Sequence, residues 1–155
     1  MNKVRNKGFH ILLVDRFPVA RWGMRKIIEL AGIPVSDIKE SGSLDEALFA
    51  LPQTAPTLVL MGGIDDATPS KVAETVGIRE NCAVVLLATG DALEAIKFMD
   101  AGGHGFAAED ASIEDVIDVV VRVAQEHATI SPSILRLIQN SVNTPVEVAS
   151  EHSLS

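Results

Sequence analysis

The sequence predicts an α/β fold in which a parallel sheet is covered by helices. Three observations carry that expectation. Ile11-Leu12-Leu13-Val14, Leu58-Val59-Leu60-Met61 and Ala83-Val84-Val85-Leu86-Leu87 are continuous apolar runs rather than alternating ones, which marks strands buried on both faces. Between the runs lie longer segments of helical period, and strands and helices alternating at this spacing imply right-handed crossovers. Aromatic residues make up only 4% of the 155 residues, so the core has to be built from Val, Ile, Leu and Ala.

Taken in order, the first strand is Ile11 to Val14. Pro18 follows where a first-turn proline is tolerated, ahead of a helix over Val19 to Leu30. A weaker strand signal runs from Val35 to Glu40, and Ser43-Leu44-Asp45-Glu46 reads as a capping box for a helix reaching Ala50. After the third strand, Lys71 to Gly77 carries the weakest helical signal of the chain. Asp91 is placed to cap a helix over Ala92 to Met99, which Gly102-Gly103 stops in a left-handed turn. Gly105 to Ala108 is a short fifth strand. Ser112-Ile113-Glu114-Asp115 opens a further helix, with Ile113, Val116, Ile117, Val120 and Ala124 predicted on one buried face. Ser131-Pro132 opens a last short helix to about Gln139, and beyond Asn140 the pattern reads as a linker. The expected division is a domain over residues 1–128, then a short helix and tail over 129–155.

A net charge of -8 repels phosphate backbones and argues against direct nucleic-acid binding by this segment. The basic residues Lys3, Arg5 and Lys7 read as a solvated leader. Cys82 stands alone, so an internal disulfide is excluded and a reducing cytoplasm is the expected location. No apolar stretch approaches the ~20 residues needed to span a bilayer, and no membrane contact is expected. The Ile11 to Val14 run, broken by Asp15, is too short for a signal-peptide core.

Chemistry in such sheets sits at the carboxyl ends of the strands. Those positions hold Asp15-Arg16, Gly62-Gly63, Thr89-Gly90 and Glu109-Asp110. Gly62-Gly63 beside Arg16 could form a backbone nest for an anion, against the plainer reading of a strand-to-loop turn. Asp65-Asp66 reads as a solvated loop pair, and His104 as a turn residue. His10, His127 and His152 are too dispersed to suggest a metal site.

The stretch Ile11 to Met24 (ILLVDRFPVARWGM) resembles the first strand and helix of NarL/FixJ (LuxR-type) response-regulator receivers. Leu44-Asp45-Glu46-Ala47-Leu48 resembles the second helix of that family, and Met99 to Phe106 with Asp110-Ala111-Ser112 its fourth-helix-to-fifth-strand passage. The likeness covers roughly Phe9 to Ile138. It implies a flavodoxin-like, doubly wound sheet of five parallel strands in the order 2-1-3-4-5. It also implies a phosphoacceptor pocket, and here the chain departs from the family. Asp15 matches the first of two metal-holding acidic residues, but Arg16 stands at the second. Gly62 replaces the acceptor aspartate, Ala88 (with Thr89 one step late) the hydroxyl residue, and Glu109 the lysine. Glycine offers no oxygen nucleophile, a guanidinium cannot ligate Mg²⁺, and Glu109 adds to the negative charge that the lysine would offset.

The expectation is therefore a degenerate receiver that works without aspartyl phosphorylation, with no catalytic residue, metal or cofactor. It would be the regulatory module of a transcription regulator whose DNA contact lies in a helix-turn-helix domain beyond the tail. The alternatives are a stand-alone sensor of a small molecule in the vacated pocket and, less favoured, a flavodoxin-like enzyme. Arg16 and Glu109 are candidates to pair across the pocket. Helical phasing of the first helix buries Ala20, Met24, Ile27 and Ala31, and turns Trp22 outward beside Arg25, Lys26 and Glu29. A homodimer is expected there, with Arg21, Trp22, Arg25 and Lys26 meeting Glu114, Asp115 and Asp118 of the fifth helix.

Overall fold

The computed structural model describes residues 8–88, 92–108, 110–125 and 129–130. Strand β1 (Phe9–Val14) and helix α1 (Pro18–Ala31) are followed by β2 (Val35–Ser41), α2 (Leu44–Ala50) and β3 (Thr57–Met61). Helix α3 (Pro69–Val72) runs into a π-helical turn, Ala73–Gly77, before β4 (Cys82–Ala88) and α4 (Ala92–Ala101). Strand β5 (Gly105–Ala108), helix α5 (Ile113–Ala124) and a two-residue β6 (Thr129–Ile130) complete the described chain. All pairings are parallel, in the order β2-β1-β3-β4-β5-β6.

The five principal strands thus lie in the expected order. The edge strand β6 is an addition, and its two residues fall past the boundary expected at residue 128. The helix expected from Ser131 and the cap expected from Asp91 lie outside the described residues.

The continuous runs are explained by the two cores. Ile11, Leu13, Leu58, Leu60, Val85 and Ala107 pack under α1 and α5 on one face. Their neighbours Leu12, Val14, Val59, Met61, Val84, Leu86 and Phe106 pack under α2, α3 and α4 on the other. Edge strand β2 is mostly exposed and carries Lys39 and Glu40, as an edge open to solvent requires.

Local signals set the ends of the helices. Pro18 is the first residue of α1 itself. Ser43 Oγ accepts the Glu46 N–H at 3.1 Å, whereas the Glu46 carboxylate reaches back to the Gly42 N–H, one residue beyond the expected box partner. Gly102, at φ 124°, ends α4 in a conformation that favours glycine.

Two predicted faces are rotated. In α1 the buried centre is Met24 and Ile28, while Ala20, Ile27 and Ala31 are half-buried. In α5 it is Val116, Val119, Val120 and Val123, and Ile113 is 50% exposed at the rim. Gly23 lies in the interior of α1, where glycine is about 1 kcal/mol less favourable than alanine. Among the described residues no helix is long and apolar enough to cross a membrane.

Candidate functional site: a strand-end pocket filled by Asp15

Register brings the site together. Val14 and Met61 are paired across β1 and β3, and the Gly62 N–H donates to the Val14 carbonyl at 2.8 Å. Asp15 and Gly62 therefore leave the sheet side by side, and the Arg16 N–H donates to the Gly63 carbonyl at 2.9 Å. Asp15 is 6% exposed. Its Oδ1 accepts the Phe17 N–H at 2.8 Å and its Oδ2 accepts the Gly63 N–H at 2.9 Å.

A Cβ built on Gly62 would fall inside the envelope of Asp15 Oδ2 and lie 3.1 Å from Met24 Cε. The carboxylate thus occupies the space in which a side chain of residue 62 would begin. Gly62 and Gly63 do not form the suggested nest: the Gly62 N–H continues the sheet by donating to the Val14 carbonyl, and of the pair only the Gly63 N–H meets the Asp15 carboxylate.

This pocket does not fit the Mg²⁺ that a receiver fold implies. Hard divalent cations need several oxygen ligands. Both oxygens of Asp15 already accept backbone N–H groups, residue 62 has no side chain, and residue 16 is an arginine.

Arg16 turns outward. Its Nη1 donates to Asp65 Oδ1 at 2.7 Å, and its guanidinium lies 4.6 Å from the centre of the Phe17 ring. The side chains of this pair are 42% and 78% exposed, so it contributes at most about 1 kcal/mol. Its expected partner Glu109 and the strand-end Thr89 lie outside the described residues. Ala88 ends β4 in register with Ala108.

Asp65 and Asp66 are both exposed in the loop after β3, as expected of a solvated pair, and each also makes a contact. Asp66 accepts the N–H groups of Leu44 and Asp45 at 3.0 and 3.1 Å, tying the β3–α3 loop to the first turn of α2. Those two backbone bonds hold its carboxyl below the usual carboxylate range.

The expected dimer charges need correction. Arg21 Nε and Arg25 Nη2 both donate to Glu40 of β2, at 2.8 and 3.0 Å, and Arg21 also reaches the Asp15 carbonyl. Hydrogen bonds from Arg21 and then Arg25 hold the Glu40 carboxyl below its ordinary value. Asp118 pairs with Arg122 on α5 itself at 3.0 Å. Lys26 Nζ donates to Glu29 Oε1 at 3.4 Å on α1 itself. Four of the seven charges and anchors assigned to the interface, Arg21, Arg25, Lys26 and Asp118, therefore have partners within the chain. The remaining three are Trp22, Glu114 and Asp115. Trp22 is 63% exposed, as phasing predicts, with Lys26 Nζ 5.2 Å from its ring centre. Glu114 and Asp115 stand in the first turn of α5, which packs beside α1.

Sequence reasoning missed a groove of about 370 Å³ between α1 and α5, with Asp15 and Gly62 at its floor. Its one sequence signal is the mid-helix Gly23. His104 also does more than turn the chain. Its Nδ1 accepts the Val84 N–H at 3.1 Å while its own N–H donates to the Val84 carbonyl at 3.0 Å.

Burial lowers the pKa of His104 below 6.5. The unfolded chain therefore takes up the proton first. Stability linked to this residue is complete above pH 6.5 and falls as the pH drops towards the folded pKa. We expect the wild type to lose more in melting temperature between pH 7.5 and 5.5 (~ two pH steps about the unperturbed His value) than His104→Asn, which can keep the acceptor without titrating. Equal losses would exclude this role.

No family model matches the chain. A nitrate/nitrite response regulator protein homolog of Haemophilus influenzae is 25% identical over 133 residues, which are 83% of this chain and 62% of that relative. The chain thus spans about three-fifths of the relative's length. A LuxR-family two-component response regulator from Aurantimonas sp. superposes with a TM-score of 0.76 at 19% identity, over 87% of this chain and 98% of the other. A structure of two RcsB dimers bound to two parallel DNAs superposes at 0.72 and 12% identity, over 90% and 71%. The chain has the receiver fold, and a response regulator stands among its relatives.

Proposed function

We propose that this chain is the receiver module of a response regulator and that it signals without accepting a phosphoryl group. The observation that carries the reading is the Asp15 carboxylate lying over Gly62, where an acceptor side chain would begin. Phosphoryl transfer to a receiver needs an oxygen nucleophile in line with the donor and cationic groups around the transferred oxygens. Here the nucleophile position is a glycine, and the arginine at the neighbouring metal-ligand position turns to Asp65.

The module works through protein contacts rather than catalysis, and self-association is the contact we favour. RcsB, which shares the fold, forms dimers on DNA. An acidic segment of net charge -8 is a poor match for a phosphate backbone, so DNA contact by a longer protein would be made outside this domain.

Mg²⁺ with beryllofluoride, a phosphoryl mimic, tests this reading. A competent receiver at ~100 times its Kd gains about 2.7 kcal/mol, or roughly 5–10 °C in a domain of this size. We expect an unchanged melting temperature. A rise of several degrees that needs both components would overturn the reading.

A further inference from the structure

We propose that the groove between α1 and α5 binds a small organic cation, an ammonium group on an apolar body, with Asp15 as its counter-ion. The inference rests on the reading above in one respect: the Asp15 carboxylate holds neither a metal nor a phosphoryl group.

The groove has the make-up of a ligand site. Its volume of about 370 Å³ lies within the range of small-molecule pockets. Met24, Ile27, Leu87 and Val116 supply apolar walls, and Asp15 and Gly62 form the floor. Among the described lining residues only Asp15 and Lys26 carry polar side chains. Lys26 is engaged elsewhere, with Glu29 and the Trp22 ring. The groove therefore offers one polar anchor at the foot of an apolar shaft.

Small residues keep that space open. Gly23 lies in the middle of α1, and a Cβ built there would meet no heavy atom within 4 Å. Nothing within the chain requires a glycine at this unfavourable position. Its effect is to leave room along the α1 wall, and Ala108 and Ala111 do the same on the side of β5 and α5.

Charge names the occupant. Asp15 is 6% exposed, yet no described cation pairs with its carboxylate. Arg16 turns to Asp65, and Arg21 to Glu40 and the Asp15 main-chain carbonyl. The carboxylate accepts one backbone N–H at each oxygen and keeps lone pairs for further donors. A buried carboxylate is stabilised by a cationic donor brought against it. An anion would be repelled, and a hard divalent cation would find too few oxygens. An ammonium on a hydrocarbon body satisfies the floor and the walls together. Its binding at the carboxylate that joins the β1–α1 and β3–α3 loops gives the domain an input that needs no phosphodonor.

Amide NMR titration of the chain with hexylammonium, 1-hexanol and hexanoate, without Mg²⁺ or phosphodonor, tests the inference. Hexylammonium is expected to shift the amides of Gly23, Ile27, Gly62 and Val116. It should bind roughly tenfold more tightly than 1-hexanol, the worth of one charge-assisted hydrogen bond. Hexanoate should bind most weakly. Asp15→Asn should erase the preference for the amine while keeping the affinity for the alcohol. Gly23→Leu should block every probe with an unchanged or higher melting temperature, because leucine is the better helix former. The ranking of the probes on the wild type decides the matter if Asp15→Asn folds poorly.

A groove that takes none of the probes, or takes 1-hexanol as well as the amine, overturns the inference and leaves the phosphoryl-independent reading standing. Tightest binding by hexanoate overturns it too. Groove amides that respond to protein concentration and to no probe would seat a second copy there and overturn it. Hexylammonium binding that added Mg²⁺ displaces would uphold the groove as a cation site and overturn the phosphoryl-independent reading instead.

Discussion

Gly62→Asp is expected to lower stability by about 3 kcal/mol and to leave the protein unable to take up a phosphoryl group. Restoring a carboxylate at the acceptor position looks like a repair, yet the space is taken. The new Cβ meets Asp15 Oδ2, so the Asp15 carboxylate has to swing away from the Phe17 and Gly63 N–H groups that hold it. Hydrogen bonds to a charged group are worth about 1.5–3 kcal/mol each, and a second carboxylate alongside adds repulsion. For a chain of this size the loss amounts to roughly 6–12 °C in melting temperature. The double variant Asp15→Gly/Gly62→Asp removes the clash and should recover part of that loss. Urea unfolding of the three proteins measures it. A single variant as stable as wild type would mean that the carboxylate does not hold this position.

The second large effect belongs to Asp15 itself, and its sign is diagnostic. In a pocket that crowds carboxylates together for a metal, neutralising one relieves repulsion and commonly stabilises the fold. Here Asp15 has no acidic neighbour at residue 16 or 62 and instead closes two loops onto each other. Asp15→Ala is expected to cost about 2 kcal/mol, or roughly 4–8 °C, by leaving two part-buried N–H groups without an acceptor. Asp15→Asn keeps the shape and one good acceptor and should lose less. A stabilising Asp15→Ala would assign the pocket to the metal-binding kind.

How far these features could be read from the sequence depended on the range of the interactions. Strands β1, β3 and β4 were legible because both of their faces are buried, which writes an unbroken apolar run. Edge strand β2 gave a weaker signal for the opposite reason. The two residues of β6 are too few for any pattern, and the π-helical turn after α3 has no 3.6-residue period to detect. The buried face of α5 was misphased because Ile113, counted as core, projects to the groove rim.

The identities at the pocket were legible through resemblance alone. Their arrangement was not, since the bond from Gly63 to Asp15 spans 48 positions. The charges of α1 misled for the same reason. A helical wheel shows Arg21 and Arg25 as free cations, and only the fold brings Glu40 of β2 between them.

Intact-mass spectrometry after incubation with acetyl phosphate and Mg²⁺ shows whether signalling here bypasses the phosphoryl group. A single unmodified mass is expected. A stoichiometric, base-labile adduct of one phosphoryl group would contradict it, and mapping that adduct to Asp15, Asp65 or Asp66 would show which carboxylate had taken over the acceptor's role.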